Sequence, residues 1–83
     1  MVVLRTRLWG GIETTIMDAK TIGKNIRGYR QSKQWTQARL GRAIRMDRAN
    51  ISRMEAGLTE PRMRTIRRLA KALQQPVARL VGD

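Results

Sequence analysis

The chain of 83 residues contains no cysteine and no histidine. Without cysteine, neither disulfides nor a thiolate metal site can supplement the core. Without histidine, the commonest general base and the commonest metal ligand are both missing. The six acidic residues are scattered, and they form no triad or paired-carboxylate pattern. The sequence therefore predicts a protein that is not an enzyme, with no catalytic residues, no metal and no cofactor.

Long apolar runs are also missing. No stretch approaches the roughly 18 apolar residues that a membrane span requires. Residues 1–9 are too short and too rich in arginine to be the apolar part of a signal peptide. These absences predict a cytoplasmic protein with no membrane partner.

Positive charge is what the sequence has in excess. Eighteen basic residues against six acidic ones give a net charge of +12, and 14 of the basic residues are arginine. Such a balance indicates a polyanionic partner, nucleic acid before an acidic membrane surface. The planar guanidinium fork suits phosphate and guanine better than an ammonium does, which further favours nucleic acid.

Residues 36–57 have the pattern of two short helices separated by a break. Thr36 is a candidate N-cap for the first, and Asp47 offers a capping side chain for the second. Gly57 ends the second helix, because glycine adopts a left-handed conformation without steric cost. The inward apolar positions at helical spacing are Leu40, Ile44, Ile51 and Met54. This arrangement is typical of a helix-turn-helix, whose second helix enters the DNA major groove.

These residues resemble the helix-turn-helix of phage repressors and Cro, the Xre family. The matching features are Thr36-Gln37, Leu40, Ile51 and Glu55-Ala56-Gly57. The resemblance covers residues 22–81 and implies an all-α, five-helix, lambda-repressor-like DNA-binding domain.

Two positions depart from the family pattern. Arg45 stands where the turn usually has glycine, so we expect a positive φ there. Gly41 replaces a usual alanine, which lowers helix propensity by about 1 kcal/mol.

The remaining helices follow from apolar spacing. A first helix is predicted from near 18–21 to about 33, with Asp18 and Thr21 as candidate N-caps. Trp35 is predicted to pack under the second helix. The apolar face of the first helix is formed by Ile22, Ile26 and Tyr29. That of the fourth is formed by Met63, Ile66, Leu69, Ala70 and Leu73, and that of the fifth by Val77, Leu80 and Val81.

The chain divides into an N-terminal arm, residues 1–17, and the helix-turn-helix domain, residues 18–83. In the arm, Val2, Leu4 and Leu8 alternate with arginines, and a second β-branched run follows Gly10-Gly11, which indicates a β-hairpin. An isolated hairpin is marginal in water, so it would have to pack on the helices or pair with a second subunit. The alternative is a disordered arm, or residues upstream of a natural start at Met17.

The resemblance also implies the functional residues. Gln37 lies at a helix N-terminus, where backbone N–H groups favour an anion, and in the family this glutamine binds a DNA phosphate. An arginine and a glutamate at the separations of Arg30 and Glu55 from Gln37 form a structural ion pair that positions the recognition helix. The residues expected to read DNA bases are Arg48, Ala49, Asn50, Ser52 and Arg53; those expected on phosphates are Thr36, Gln37, Arg62 and Arg64.

The predicted function is sequence-specific binding of double-stranded DNA by a homodimeric transcriptional repressor of the Xre/Cro type on a palindromic operator. The alternative is the DNA-binding antitoxin of a toxin–antitoxin pair, with a toxin protein as partner. Only residues 1–17 are left over to supply its toxin-binding segment.

Overall fold

The computed structural model describes residues 4–9 and 12–82. Its elements are β1 (Leu4–Trp9), β2 (Ile12–Met17), α1 (Ala19–Ser32), α2 (Gln37–Ile44), α3 (Arg48–Glu55), α4 (Met63–Leu73) and α5 (Val77–Val81). The five-helix domain is thereby confirmed. None of the helices in this described part of the chain is long and apolar enough to cross a membrane.

The first two elements form an antiparallel pair that runs from Leu4 opposite Met17 to Trp9 opposite Ile12. This pairing is the one that the hairpin interpretation of the arm predicts. The turn predicted at Gly10-Gly11 and the predicted position of Val2 lie outside the described residues. The division of the chain at residue 17 remains a prediction.

The core lies where the five helices meet. α1 packs against α3 and α5, and α2 packs against α3 and α4. Each helix contributes one side chain with no exposed surface, and these are Ile26, Leu40, Ile51, Leu69 and Leu80. The apolar spacings of the sequence therefore converge on one buried cluster.

Two of the four candidate N-caps make a capping bond, and Thr21 lies within α1. The Asp18 side chain accepts a hydrogen bond of 3.0 Å from the N–H of Thr21, and the Thr36 hydroxyl accepts one of 3.0 Å from the N–H of Arg39. Asp47 occupies the N-cap position of α3, but its side chain makes no capping bond, so that prediction is wrong. The carboxylate is exposed, and water can satisfy it.

The two positions that depart from the family pattern shape the turn between α2 and α3. Arg45 has φ 58° and ψ 52°, which confirms the expected left-handed conformation. A Cβ atom at Gly41 would lie 2.4 Å from the backbone oxygen of Met46. Glycine at position 41 therefore lets the chain after the turn approach α2 more closely than alanine would.

Met63 differs from its predicted placement, and Trp35 matches its prediction in part. Trp35 packs against the core but is only half-buried. The Lys33 ammonium lies 5.0 Å and the Arg39 guanidinium carbon 4.9 Å from its ring centroid. Met63, the first residue of α4, is 49% exposed, because the apolar stripe of this helix begins a turn later at Ile66. Leu80, predicted for the apolar face of the fifth helix, is fully buried.

Candidate nucleic-acid interface

The third helix presents a polar N-terminal half to solvent. Its inward residues are Ile51 and Met54, with 0% and 4% of their surface exposed. Arg48, Ala49 and Arg53 are exposed, and Asn50 and Ser52 are half-buried. The five residues predicted for base reading thus lie on one short helix, anchored by two core residues.

Two of these predicted readers contact each other. The Arg53 guanidinium donates a hydrogen bond to the Asn50 side-chain oxygen, three residues earlier on the same helix. The amide oxygen is therefore engaged in the free protein, while the amide nitrogen of Asn50 remains a donor. Because an amide oxygen can accept two hydrogen bonds, Asn50 can keep this contact while it pairs with a base through both of its amide atoms.

A buried ion pair supports this helix from behind. The structure brings Arg30 of α1 and Glu55 of α3 together through two hydrogen bonds, Nε to Oε2 at 2.6 Å and Nη2 to Oε1 at 2.9 Å. Glu55 is 4% exposed and Arg30 is 9% exposed. The Arg30 Nη1 atom also donates to the backbone oxygen of Trp35 at 2.7 Å. One guanidinium therefore connects α1, α3 and the segment that leads into α2.

The charged state of both partners is favoured. Burial alone would raise the pKa of Glu55, but hydrogen bonds from Arg30 and Gln37 and the nearby positive charge outweigh it, so this pKa lies below its ordinary value. The hydrogen bond to Glu55 raises the pKa of Arg30, against the opposing effect of burial. The pair is therefore ionised at neutral pH.

Gln37 links the ion pair to the recognition helix. Its Nε2 atom donates to Glu55 Oε1 at 3.2 Å, and its Oε1 atom accepts from Arg48 Nη1 at 3.3 Å. Because each end of the amide meets a partner of matching polarity, its orientation is fixed. The residue expected on a phosphate and one expected on a base are thus held side by side.

The other predicted phosphate residues lie at helix starts. Thr36 is the N-cap of α2, Arg62 is the N-cap of α4, and Arg64 lies in the first turn of α4. All three are exposed. Among the described residues, the hydrogen-bond network around Glu55 includes neither Arg62 nor Arg64.

Sequence reasoning missed Arg27, which is half-exposed and places its Nε atom 3.4 Å from Glu55 Oε1. A signal was present, because Arg27 precedes Arg30 by three residues and so shares its face of α1. The cations over Trp35 were also missed, although Lys33 and Arg39 lie close to it in sequence.

The family described as a helix-turn-helix domain matches residues 21–80. No curated protein matches the chain in sequence. Among solved structures, the P22 c2 repressor in complex with a synthetic operator is 35% identical with a TM-score of 0.70, over 75% of this chain and 96% of that one.

Two bacterial regulators are similar in structure. The restriction-modification controller protein C.AhdI from Aeromonas hydrophila is 26% identical with a TM-score of 0.72, over 75% of this chain and 94% of that one. The clp gene regulator ClgR from C. glutamicum has the same identity and TM-score, over 75% of this chain and 80% of that one. The chain therefore belongs to the family of helix-turn-helix domains.

Proposed function

We propose that the chain is a dimeric transcriptional repressor of the Xre/Cro type that binds a palindromic site on double-stranded DNA. The observation that carries this proposal is the exposed, polar N-terminal half of α3, held by a buried ion pair at its other end. A helix presented in this way can enter the major groove without losing its place in the core. The operator complex of the similar P22 c2 repressor supports the same use of the fold.

Base reading falls to the exposed side of α3. Arg48 pairs bidentately with guanine, Asn50 pairs with adenine, and the Ala49 methyl group contacts a thymine methyl. Ser52 and Arg53 lie further along the helix and contact bases or phosphates beside these. Arg48 arrives partly oriented, because Gln37 already accepts a hydrogen bond from its guanidinium.

Phosphate contacts fall to the starts of α2 and α4. Thr36 and Gln37 lie where the N–H groups of α2 attract an anion, and Arg62 and Arg64 lie at the start of α4. The first turn of α4 contains no acidic residue, and the Arg62 side chain makes no capping bond. Arginines there oppose the helix dipole, and a DNA phosphate would relieve that opposition.

The dimer contacts are proposed at the exposed apolar side chains that follow the recognition helix. Leu58 is 73% exposed and Met63 is 49% exposed, and these are the large apolar residues that the helical domain leaves in solvent. Val77 and Val81 are half-buried and can add to such a contact. The alternative contact is the arm, through pairing of β1 or β2 with the same strand of a second copy.

The test first selects bound duplexes from a random pool, which reports sequence preference, palindromy and half-site spacing. Arg48→Ala and Arg62→Ala are then measured on the selected duplex and on a scrambled one at several salt concentrations. Arg48→Ala should lose about 1–3 kcal/mol of binding free energy on the selected duplex and little on the scrambled one. Arg62→Ala should weaken both duplexes equally and reduce the slope of log K against log salt by about 0.9.

Arg79→Ala, on the exposed side of α5, controls for the loss of one arginine. It should change the discrimination between the two duplexes and the salt slope only slightly. An equal loss on both duplexes for Arg48→Ala would assign this residue to the backbone and overturn the proposed reading. Light scattering that gives a monomer both free and on DNA would remove the dimer. The antitoxin alternative predicts a toxin among the products of neighbouring genes, which a pull-down with the whole chain would capture.

A further inference from the structure

A second surface feature is lined by residues that are not assigned to DNA. A cavity of about 410 Å³ is lined by the C-terminal end of α2 and by α4. Its lining residues are Ala43, Ile44, Arg68, Lys71 and Ala72. None of them belongs to the base-reading or phosphate sets, so the proposed DNA contacts leave this cavity unexplained.

The lining combines an aliphatic floor with two cations. Ala43, Ile44 and Ala72 supply the aliphatic part. Arg68 donates a hydrogen bond to the backbone oxygen of Ile44, which holds its guanidinium beside the cavity. A guanidinium has about five N–H donors in a planar fork, so donors remain for a carboxylate. Lys71 follows Arg68 by three residues and therefore stands next to it on the helix.

The positive charge continues beyond the cavity. Arg67 is exposed on α4, and Arg42 and Arg45 are exposed at the end of α2. Neither helix contains an acidic residue. The surface is therefore a band of uncompensated cations around an aliphatic depression, and one small carboxylate would neutralise only part of it.

We propose that this surface docks an acidic segment of another protein. One aliphatic side chain of the segment enters the cavity, and its carboxylates pair with Arg68, Lys71 and the neighbouring arginines. The aliphatic floor favours a polypeptide over a second nucleic acid, because a sugar–phosphate backbone offers no aliphatic side chain to fill it. This inference goes beyond the proposed DNA binding, and its test requires no operator.

The probes are two short fluorescein-labelled peptides, one of glutamate and leucine and one of glutamate and serine at the same positions. Fluorescence anisotropy should give about tenfold tighter binding for the leucine peptide, since partial burial of one leucine is worth roughly 1.4 kcal/mol. Ala43→Met occupies part of the cavity from an exposed position and keeps the charge, so it should reduce the preference for leucine. Lys71→Glu should weaken the binding of both peptides several-fold. Lys24→Glu makes the same charge change at an exposed position of α1 and should weaken their binding less.

Amide NMR on the isotope-labelled chain locates the binding. The leucine peptide should shift resonances at Ala43, Ile44, Lys71 and Ala72. Equal affinity for the two peptides, or equal effects of Lys71→Glu and Lys24→Glu, would reduce the attraction to net charge and overturn the proposal. Stronger shifts of the same resonances by a scrambled DNA duplex than by the leucine peptide would make this a nucleic-acid surface and overturn it as well.

Discussion

Replacing Glu55 by glutamine tests how the recognition helix is held. The carboxylate accepts hydrogen bonds from Arg27, Arg30 and Gln37 and is almost fully buried. Glutamine keeps the shape but removes the charge, and its amide nitrogen then faces donors. Breaking a buried pair on one side costs about 3–5 kcal/mol, because the remaining charge is left uncompensated.

The loss is large against the stability of so small a protein. An 83-residue chain is expected to have a free energy of unfolding of roughly 4–12 kcal/mol. A loss of 3–5 kcal/mol lowers Tm by about 12–40 °C, at about 4–8 °C for each kcal/mol. Thermal unfolding followed by circular dichroism measures this shift. Glu60→Gln removes the same charge from an exposed loop, and its free energy of unfolding should stay within about 0.5 kcal/mol of the parent.

Acid provides a second measurement on the same pair. The folded-state pKa of Glu55 lies below the unfolded value of about 4.3. Its contribution to stability is therefore fully present above about pH 4.3 and is lost as the pH falls through the folded-state pKa. The difference in Tm between the parent and Glu55→Gln should shrink over that range. If the two proteins unfold at the same temperature at neutral pH, the pair carries no stability and the reasoning fails.

Three further changes test the turn, the close contacts and the arm. Gly41→Ala should destabilise the fold by about 1–3 kcal/mol, because its Cβ atom would clash with the backbone of Met46. Gly28→Ala should stabilise the fold by about 1 kcal/mol, because a Cβ atom there meets open space and alanine favours the helix. Urea unfolding measures both changes. Arg45→Gly should stabilise the fold by about 1 kcal/mol, because glycine adopts the left-handed conformation without steric cost. Arg42→Gly, at an exposed position within α2, should destabilise the fold by a similar amount. Deleting residues 1–17 should leave helical circular dichroism unchanged; a loss of dimer mass would assign the arm to dimerisation, and a reduced salt slope of binding with unchanged dimer mass would assign it to DNA.

The helices could be predicted because each carries a local signal. Ile22 and Ile26, or Leu69 and Leu73, repeat at the spacing of one helical face, and Thr36 has the chemistry of a cap. The Arg45 turn was predictable through family resemblance, since composition alone gives no reason for a positive φ at arginine. Asp47 shows the limit of such signals: its position was right, but a capping bond also depends on the rotamer of an exposed side chain.

Two of the contacts that the sequence did not predict join distant segments. Arg27 meets Glu55 across 28 positions, and Gln37 meets Arg48 across 11. Such pairs depend on how α1, α2 and α3 cross, which periodicity within each helix does not specify. The same is true of the cavity between α2 and α4, because its residues show no motif in the sequence.

The last helix depends on a long-range contact of this kind. The Asn25 amide donates to the backbone oxygens of Leu80 and Gly82 at 2.9 and 2.8 Å. α5 has five residues and cannot be stable alone, since isolated helices shorter than about 12 residues are marginal in water. It is therefore held in place by its packing on α1 and α4, and we expect it to open before the other four helices. Amide hydrogens of α5 should exchange with solvent through this local opening, faster than those of α1, which exchange only when the whole domain unfolds.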